Sequence, residues 1–386
     1  MWLAMEPPGG VPDGVDLMGT YSPLATRLRP RVFAEVVGQD ATVRILQNAI
    51  HLGRIANSYI FSGLAGVGKT TLARIFAAGL NCQGVEEGYR HESEPAPCGA
   101  CSSCLDVQEG RSQFVIEVDA ASDRGVQMVE DLQGLVAQAL PDGAWRVFIM
   151  DECHAITGKA WGAFLKTIEE PAPHNVFIFV TTDRERVIQT VRSRSSSFVF
   201  RPVSAETIVQ VLAAAVRDKQ LDPSWQGEFM TPDVLAVIAR EARGSVRDAL
   251  HLLDKVVLLG PTTVAEVERL VGIDSETVRD IADAVISLDP RYYFEVVAAT
   301  IAKGFGPDEM ADIVLRVCRD LVVLRAGWKG EMLSYLPADK LVYNARNVDD
   351  GMLQTLYREA VALFESRRID RIALEVFYVR ALQKNA

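Results

Sequence analysis

The sequence runs to 386 residues, 49% of them hydrophobic and 24% charged, with a formal net charge of -11. That is the profile of an ordinary globular protein with room for two or three cored domains, and no run nears the roughly 20 apolar residues that cross a bilayer. The acidic balance argues against a chain coated in basic surface that grips nucleic acid unaided, though not against a local basic face or DNA held jointly by several subunits.

The first residues, "MWLAMEPPGGVPDG", lack the basic start and sustained apolar stretch of a secretory signal. A cytoplasmic location with no membrane partner is expected. Residues 1–19 are rich in Pro and Gly without periodicity, which predicts a disordered leader, with Met18 an alternative start. From there to about residue 200, short β-branched runs alternate with helical stretches. "NSYIFSG", "QFVIEVDA", "WRVFIMDE" and "NVFIFVTTD" each read as a buried strand ending in polar residues. Such alternation predicts a parallel sheet with helices on both faces and function at the strand C-terminal ends.

After the first of these strands comes "GLAGVGKTT", Gly63 to Thr71, which fits the phosphate-loop pattern and leads into the helix "TTLARIFAAGLN". Glycines at Gly63, Gly66 and Gly68, with Val67, let backbone N–H groups converge on phosphate oxygens at a helix N-terminus. Lys69 is expected to reach the β- and γ-phosphates of ATP, and the Thr70 hydroxyl, with Thr71 beside it, to meet Mg²⁺.

Four of the six cysteines fall between positions 82 and 104. Cys98, Cys101 and Cys104 form C-x-x-C-x-x-C, and Cys82 closes the preceding helix. Clustering of this kind in a reducing compartment favours metal over disulfides. Iron–sulfur ligation also uses close cysteines, but redox chemistry has no evident substrate here, and His91 is the only nearby competing ligand. The expectation is four-cysteine Zn²⁺, a closed and structural shell.

Further on, "RVFIMDE" puts Asp151 and Glu152 at a strand end, where one carboxylate can hold the metal's water shell and the other polarise an attacking water. Thr182 in "TTD" either orients that water or merely starts a turn. Arg194 in "VRSRSSSF" and Arg247 in "GSVRDAL" are candidates for neutralising γ-phosphate charge, against the reading of solvated surface arginines. His154, beside the carboxylate pair, reads as a packing or hydrogen-bonding residue and is left out of the catalytic set. Beyond "FRPVS" strand signals stop. Residues 203 to 259 read as a helical unit with a break near Gly244, and "GPTT" at 260–263 as a linker whose Thr residues can cap the next helix. The rest, 260–386, shows only helical periodicity.

The stretches "LATRLRPRVFAEVVGQD", "SGLAGVGKTTLARIFAAGLNC", "PCGACSSC", "IEVDAAS", "MDECHAITGKAWGAFLKTIEEPAP", "TTDRERVIQTVRSRS" and "GSVRDAL", in this order, resemble the bacterial-type clamp-loader ATPases of the AAA+ group, the gamma/tau subunits of DNA polymerase III. The resemblance implies an α/β AAA+ P-loop ATPase domain over residues 20–202 with a zinc-binding insertion at about 82–105. An all-α lid over 203–259 and an all-α collar over 260–386 would follow. It implies that Val37 and Gly38 lie near the adenine, that Thr182 is a first sensor and Arg247 a second on the lid, and that Arg194 is an arginine finger for the next subunit's ATP. Implied partners are other clamp-loader subunits in an oligomer, a pentamer in this family, with a sliding clamp and primer-template DNA. The whole would be a component of a DNA polymerase III holoenzyme with its DNA-directed polymerase activity.

Three departures stand out. The finger motif is "SRS", with Ser195 where the family usually has Cys. Glu130 replaces an arginine usual near DNA, leaving Arg124 as the local cation. No Pro-rich tail follows the third region, so tethering of polymerase and helicase is not expected of this sequence. The rival readings are another AAA+ DNA-processing ATPase, such as a branch-migration motor or helicase loader, and a subunit that binds nucleotide only as a structural element.

Overall fold

The computed structural model describes residues 22–86, 96–123, 125–170, 172–217, 230–260, 263–270, 275–328, 341, 348–366 and 368–384. The expected leader at 1–19, His91 and Arg124 lie outside the described residues. The chain divides into two compact units, Met1–Gly260 and Pro261–Ala386.

In the first unit, α1 (Asp40–Leu52), β1 (Ser58–Ser62), α2 (Lys69–Leu80), α3 (Ser102–Gln108), β2 (Val115–Asp119), α4 (Val126–Val136), β3 (Arg146–Asp151), α5 (Gly158–Glu169), β4 (Asn175–Thr181) and β5 (Ser196–Val199) follow one another. The strands form one parallel sheet in the order β2-β3-β4-β1-β5. The central strands are unbroken apolar runs because both faces are covered. Alternate residues point to opposite faces. Phe61, Ile149 and Ile178 meet Leu72 and Phe76 of α2, whereas Ile60, Phe148 and Phe177 meet Leu132 of α4 and Phe164 of α5. Edge strand β2 carries Glu117, which Arg74 of α2 grips with two bonds of 2.6 and 2.7 Å. A paired charge there discourages further strand addition.

This strand order decides where chemistry can sit. β4 lies between β3 and β1, and the register pairs Ser62 with Thr181 and Met150 with Phe179. The C-terminal ends of three strands distant in sequence therefore stand side by side.

Three helices complete the unit: α6 (Ala205–Arg217), α7 (Pro232–Glu241) and α8 (Val246–Leu259). Thr231 caps α7 and Ser245 caps α8 by accepting from Val234 N and Asp248 N. The expected break is at Gly244, with φ +87°, where a Cβ would lie 2.4 Å from Pro202 Cβ. Its carbonyl accepts from Val203 N at 3.0 Å. Leu24, in the helical turn Leu24–Arg27, is wholly buried, and its N–H donates to Asp254 Oδ2 of α8 at 3.0 Å. The parallel sheet and the expected lid thus share one compact unit.

The second unit is helical throughout its described residues: α9 (Val264–Leu270), α10 (Ser275–Ser287), α11 (Pro290–Ala302), α12 (Pro307–Arg325), α13 (Asp350–Phe364) and α14 (Arg371–Gln383). Thr263 caps α9 as expected: its hydroxyl accepts from Glu266 N while its own N–H donates to Glu266 Oε2. Tyr293 and Tyr378 stack with centroids 4.1 Å apart, and the Tyr378 hydroxyl, buried with them, donates to the Ala284 carbonyl at 3.0 Å. Phe364, Ile372 and Val376 stay exposed. Among the described residues no helix is long and apolar enough to cross a membrane.

Candidate active site

The loop between β1 and α2 is held by three glycines with positive φ, +149° at Gly63, +71° at Gly66 and +98° at Gly68. Close approach explains two of them. A Cβ on Gly63 would lie 2.4 Å from the Phe200 carbonyl, and one on Gly66 2.0 Å from Ser245 Oγ, whereas at Gly68 nothing lies within 4 Å. The loop is thus pressed between sheet and lid and open where α2 begins, the end of a helix that attracts anions.

Lys69 is buried, and its Nζ donates to the carbonyls of Gly63 and Leu64 at 2.9 and 2.7 Å. Burial pulls its pKa below the ordinary lysine value, opposed by the nearby carboxylates of Glu152 and Asp151. Thr70 Oγ1 donates to Asp151 Oδ2 at 2.8 Å across 81 residues of sequence. The pair expected to share Mg²⁺ is therefore already in contact, and a hydroxyl with a carboxylate is a hard oxygen set of the type that metal accepts.

Glu152 follows with φ +46° and ψ +41°, left-handed backbone that a side chain rarely adopts. Its N–H donates to Asp151 Oδ1 at 2.9 Å. Thr182 Oγ1 donates to Glu152 Oε2 at 3.2 Å, so the hydroxyl left between two readings does meet the carboxylate pair. His154, set aside on sequence, also reaches this oxygen, with Nδ1 at 3.2 Å.

A cleft of about 390 Å³ adjoins the loop and is lined by Val37, Gly66 to Thr71, Arg247 and Leu250, among others. Gly38 is not among its lining residues. A Cβ there would lie 3.0 Å from Val203 Cγ2, so the backbone beside Val37 packs closely against residue 203. Arg247 N donates to Gly66 O at 3.4 Å, which ties the lid to the phosphate loop. Arg29 also lines the cleft and was missed on sequence. Burial and the Arg74 guanidinium hold its pKa below the ordinary arginine value, with Glu117 opposing them. The only sequence signal for it is "LRP" inside a family-like stretch.

Arg194 stands elsewhere. Its carbonyl accepts from Ser58 Oγ at 3.3 Å, at the N-terminal end of β1, whereas the phosphate loop leaves from the other end. Four residue steps of strand separate Ser58 from Ser62, about 13 Å. The guanidinium, 44% exposed, pairs with Glu169 at 3.0 Å and donates to Thr190 O at 3.0 Å.

Away from this cleft, the sulfurs of Cys82, Cys98, Cys101 and Cys104 all lie within 4.8 Å of one another. Four thiolates around zinc stand about 3.8 Å apart, the edge of a tetrahedron with 2.3 Å bonds. Cys82 and Cys104 are buried with Ala78 and Val107. Backbone N–H groups of Cys98 and Cys101 donate to the sulfurs of Cys82 and Cys98 at 3.4 and 3.3 Å, which favours the thiolate form. The Cys82 thiol is drawn down to about 5, first by the hydrogen bond from Cys104, and that same bond pushes Cys104 up. The donor set fits a closed, four-coordinate metal shell. Cys153 and Cys318 lie apart, both buried.

Residues 38–204 match the profile of the family described as "DNA polymerase III, delta subunit". DNA polymerase III subunit tau of Salmonella typhimurium is 32% identical over 346 residues, 88% of this chain and 51% of that protein. DNA polymerase III subunit gamma/tau of Mycobacterium tuberculosis is 35% identical over 310 residues, 78% of this chain and 51% of that protein. Protein STICHEL of Arabidopsis thaliana is 37% identical over 362 residues, 92% of this chain and 28% of that protein. The chain spans about half the length of the bacterial relatives and a smaller share of the plant one.

Proposed function

We propose that this chain, which belongs to the gamma/tau family of bacterial-type clamp-loader ATPases, hydrolyses ATP as one subunit of a clamp loader that opens a sliding clamp and places it on primed DNA. The observation that carries the reading is the convergence of the phosphate loop, Asp151, Glu152 and Thr182 at three adjacent strand ends, with Thr70 and Asp151 already bonded at 2.8 Å. Nucleotide polymerisation belongs to a different subunit.

In this reading the loop amides and Lys69 hold the β- and γ-phosphates, and Val37 packs near the adenine. Thr70 and Asp151 would hold Mg²⁺, which when bound draws charge from the phosphate oxygens. Glu152 takes the proton of the attacking water, and Thr182 orients that water or senses the γ-phosphate. Arg247, on the lid and bonded to the loop, reports nucleotide state through lid angle. Arg194 sits at the opposite end of β1 from its own loop, which supports action on the ATP of a neighbouring subunit, and its arginine is kept despite the "SRS" departure. Cys82, Cys98, Cys101 and Cys104 would hold Zn²⁺ as a structural module. The domain reading is an ATPase part at 20–202, a lid at 203–259 and a collar at 260–386. Exposed Phe364, Ile372 and Val376 support assembly with other subunits through that collar, a pentamer by family likeness. Coupling needs only that ATP and ADP states differ in affinity for clamp and DNA.

The test is the ATP hydrolysis rate of the chain assembled with its partner subunits, with and without clamp and primed DNA. Strong stimulation by both together supports the reading. A rate indifferent to both leaves another AAA+ activity. Lys69→Ala separates the remaining rival: normal clamp loading by that variant would mean the nucleotide is only structural.

A further inference from the structure

We propose that Ser58 and Ser195 are a positioning pair for Arg194, a chain of two hydrogen bonds that fixes the backbone of the finger while its guanidinium is free to leave for a phosphate. The inference rests on the reading of Arg194 as a finger for a neighbouring subunit's ATP.

The strand that follows Arg194, β5, lies at the edge of the sheet and pairs only with β1. Its pairing begins with Ser196 opposite Tyr59, so Arg194 stands two residues before the ladder. On its other side is the helical turn Gln189–Arg192. Val191 of that turn is wholly buried, and its carbonyl accepts from Arg194 N at 3.2 Å.

Ser58 opens β1 one residue before Tyr59, and continuing the register sets it opposite Ser195. The two hydroxyls meet at 3.0 Å. Ser58 is buried, and its single proton goes to the Arg194 carbonyl at 3.3 Å. Toward Ser195 it can therefore only accept, and Ser195 supplies the proton of the shorter bond. Bonds in such a chain polarise one another. Loss of the Ser195 hydroxyl thus weakens the grip on the Arg194 carbonyl without touching Arg194 itself. The hydroxyl is also what Ser195 brings to the "SRS" stretch, since a thiol in its place is a weak donor.

The side chain of Arg194 is held differently. Its guanidinium pairs with Glu169 and donates to Thr190 O, both at 3.0 Å. Arg194 and Glu169 are each 44% exposed, and an exposed ion pair is weak and screened. A γ-phosphate, with more charge and several acceptor oxygens, can take the guanidinium from Glu169. What remains then is the backbone anchor. A long side chain brings its charge to one place only if its own backbone is fixed, and that fixing is the work of the serine pair.

The experiment uses the assembled complex with clamp and primed DNA and compares Ser58→Ala, Ser195→Ala, the double variant and Ser195→Thr, with Arg194→Ala as reference. We expect each Ala variant to lower kcat by about tenfold, less than the roughly hundredfold that a misplacement of about 1 Å can cost. KM for ATP, the ATP affinity of the full chain and its Tm should stay close to the parental values, the signature of an interaction that matters after binding. The double variant should be no slower than Ser58→Ala, because both changes cut one chain. Ser195→Thr, which keeps the hydroxyl, should restore most of the rate. In assemblies of mixed parental and variant subunits the loss should fall on the site that the variant's finger serves, with the variant's own site spared. Parental rates in both Ala variants while Arg194→Ala is inactive would overturn the proposal. So would Ser195→Thr losing as much as Ser195→Ala, a loss at the variant's own site, or losses of Tm and ATP affinity in step with kcat, any of which would make the pair merely structural. If Arg194→Ala itself turns over at the parental rate, Arg194 is not the finger, and the role of the serines falls with that reading.

Discussion

Gly66 is where the phosphate loop and the lid meet most closely, and Gly66→Ala measures that contact. Two penalties are expected. The residue has φ +71°, and left-handed backbone costs a non-glycine residue roughly 1–2 kcal/mol. The new Cβ would also fall 2.0 Å from Ser245 Oγ and 3.2 Å from Arg247 Cβ, an overpacking that costs about 1–3 kcal/mol where the neighbours cannot yield. Ser245 cannot turn aside freely, because its Oγ accepts from Asp248 N as the cap of α8. Together these predict a loss of about 2–5 kcal/mol, divided between stability and a lid pushed off the loop. Denaturant unfolding with urea, beside titration with a fluorescent ATP analogue, reads both. The clash has its own control. Ser245→Gly removes the obstructing oxygen at a few tenths of a kcal/mol, since glycine is a tolerated cap. The double variant should therefore recover about 1 kcal/mol or more relative to Gly66→Ala alone, a non-additivity expected of touching residues. Strictly additive effects, or a Gly66→Ala protein with parental stability and ATP affinity, would refute the reasoning.

Arg194→Ala should leave ATP binding by its own subunit unchanged, because the residue sits at the far end of β1, while hydrolysis in the assembly falls by about a thousandfold or more, the scale of a lost arginine finger. Mixing parental and variant subunits and counting active sites checks that the loss is felt by the neighbour. The purified chain should carry one zinc by elemental analysis, and Cys104→Ser should lose it and open the segment around residues 82–105 to protease, with the nucleotide site still binding ATP. Asp254→Ala should destabilise the first unit by about 1–3 kcal/mol in urea, the penalty of leaving the buried Leu24 N–H without its acceptor. A neutral result there would mean that the helical turn at Leu24–Arg27 contributes nothing to the lid.

Some of this protein is local and was readable as a string. The phosphate loop is one contiguous stretch whose glycines answer to backbone angles, so its place between a strand and a helix was expected and found. The central strands read as apolar runs because each is buried on both faces, and the helix break at Gly244 and the cap at Thr263 follow from turn and cap chemistry within a few residues. The cysteine cluster was legible for the same reason, since the spacing of Cys98, Cys101 and Cys104 brings their sulfurs together within one turn and a short helix. Other features have no local signal at all. Thr70 meets Asp151 across 81 residues only because β4 is inserted beside β1 and next to β3. The same strand order sets Thr182 beside Glu152 and Arg194 at the end of β1 remote from its own loop, whereas Arg29 reaches the cleft on the segment after the helical turn that Leu24 ties to α8. Gly38, expected near the adenine, also packs closely against Val203, a contact with no signal in the sequence. Sequence by itself determined the elements and the residue types the chemistry needs, because those depend on neighbours along the chain. Which of them touch was decided by the order of strands in the sheet and the seating of the lid on the loop, because a hydrogen bond depends on distance in space and is blind to separation in sequence.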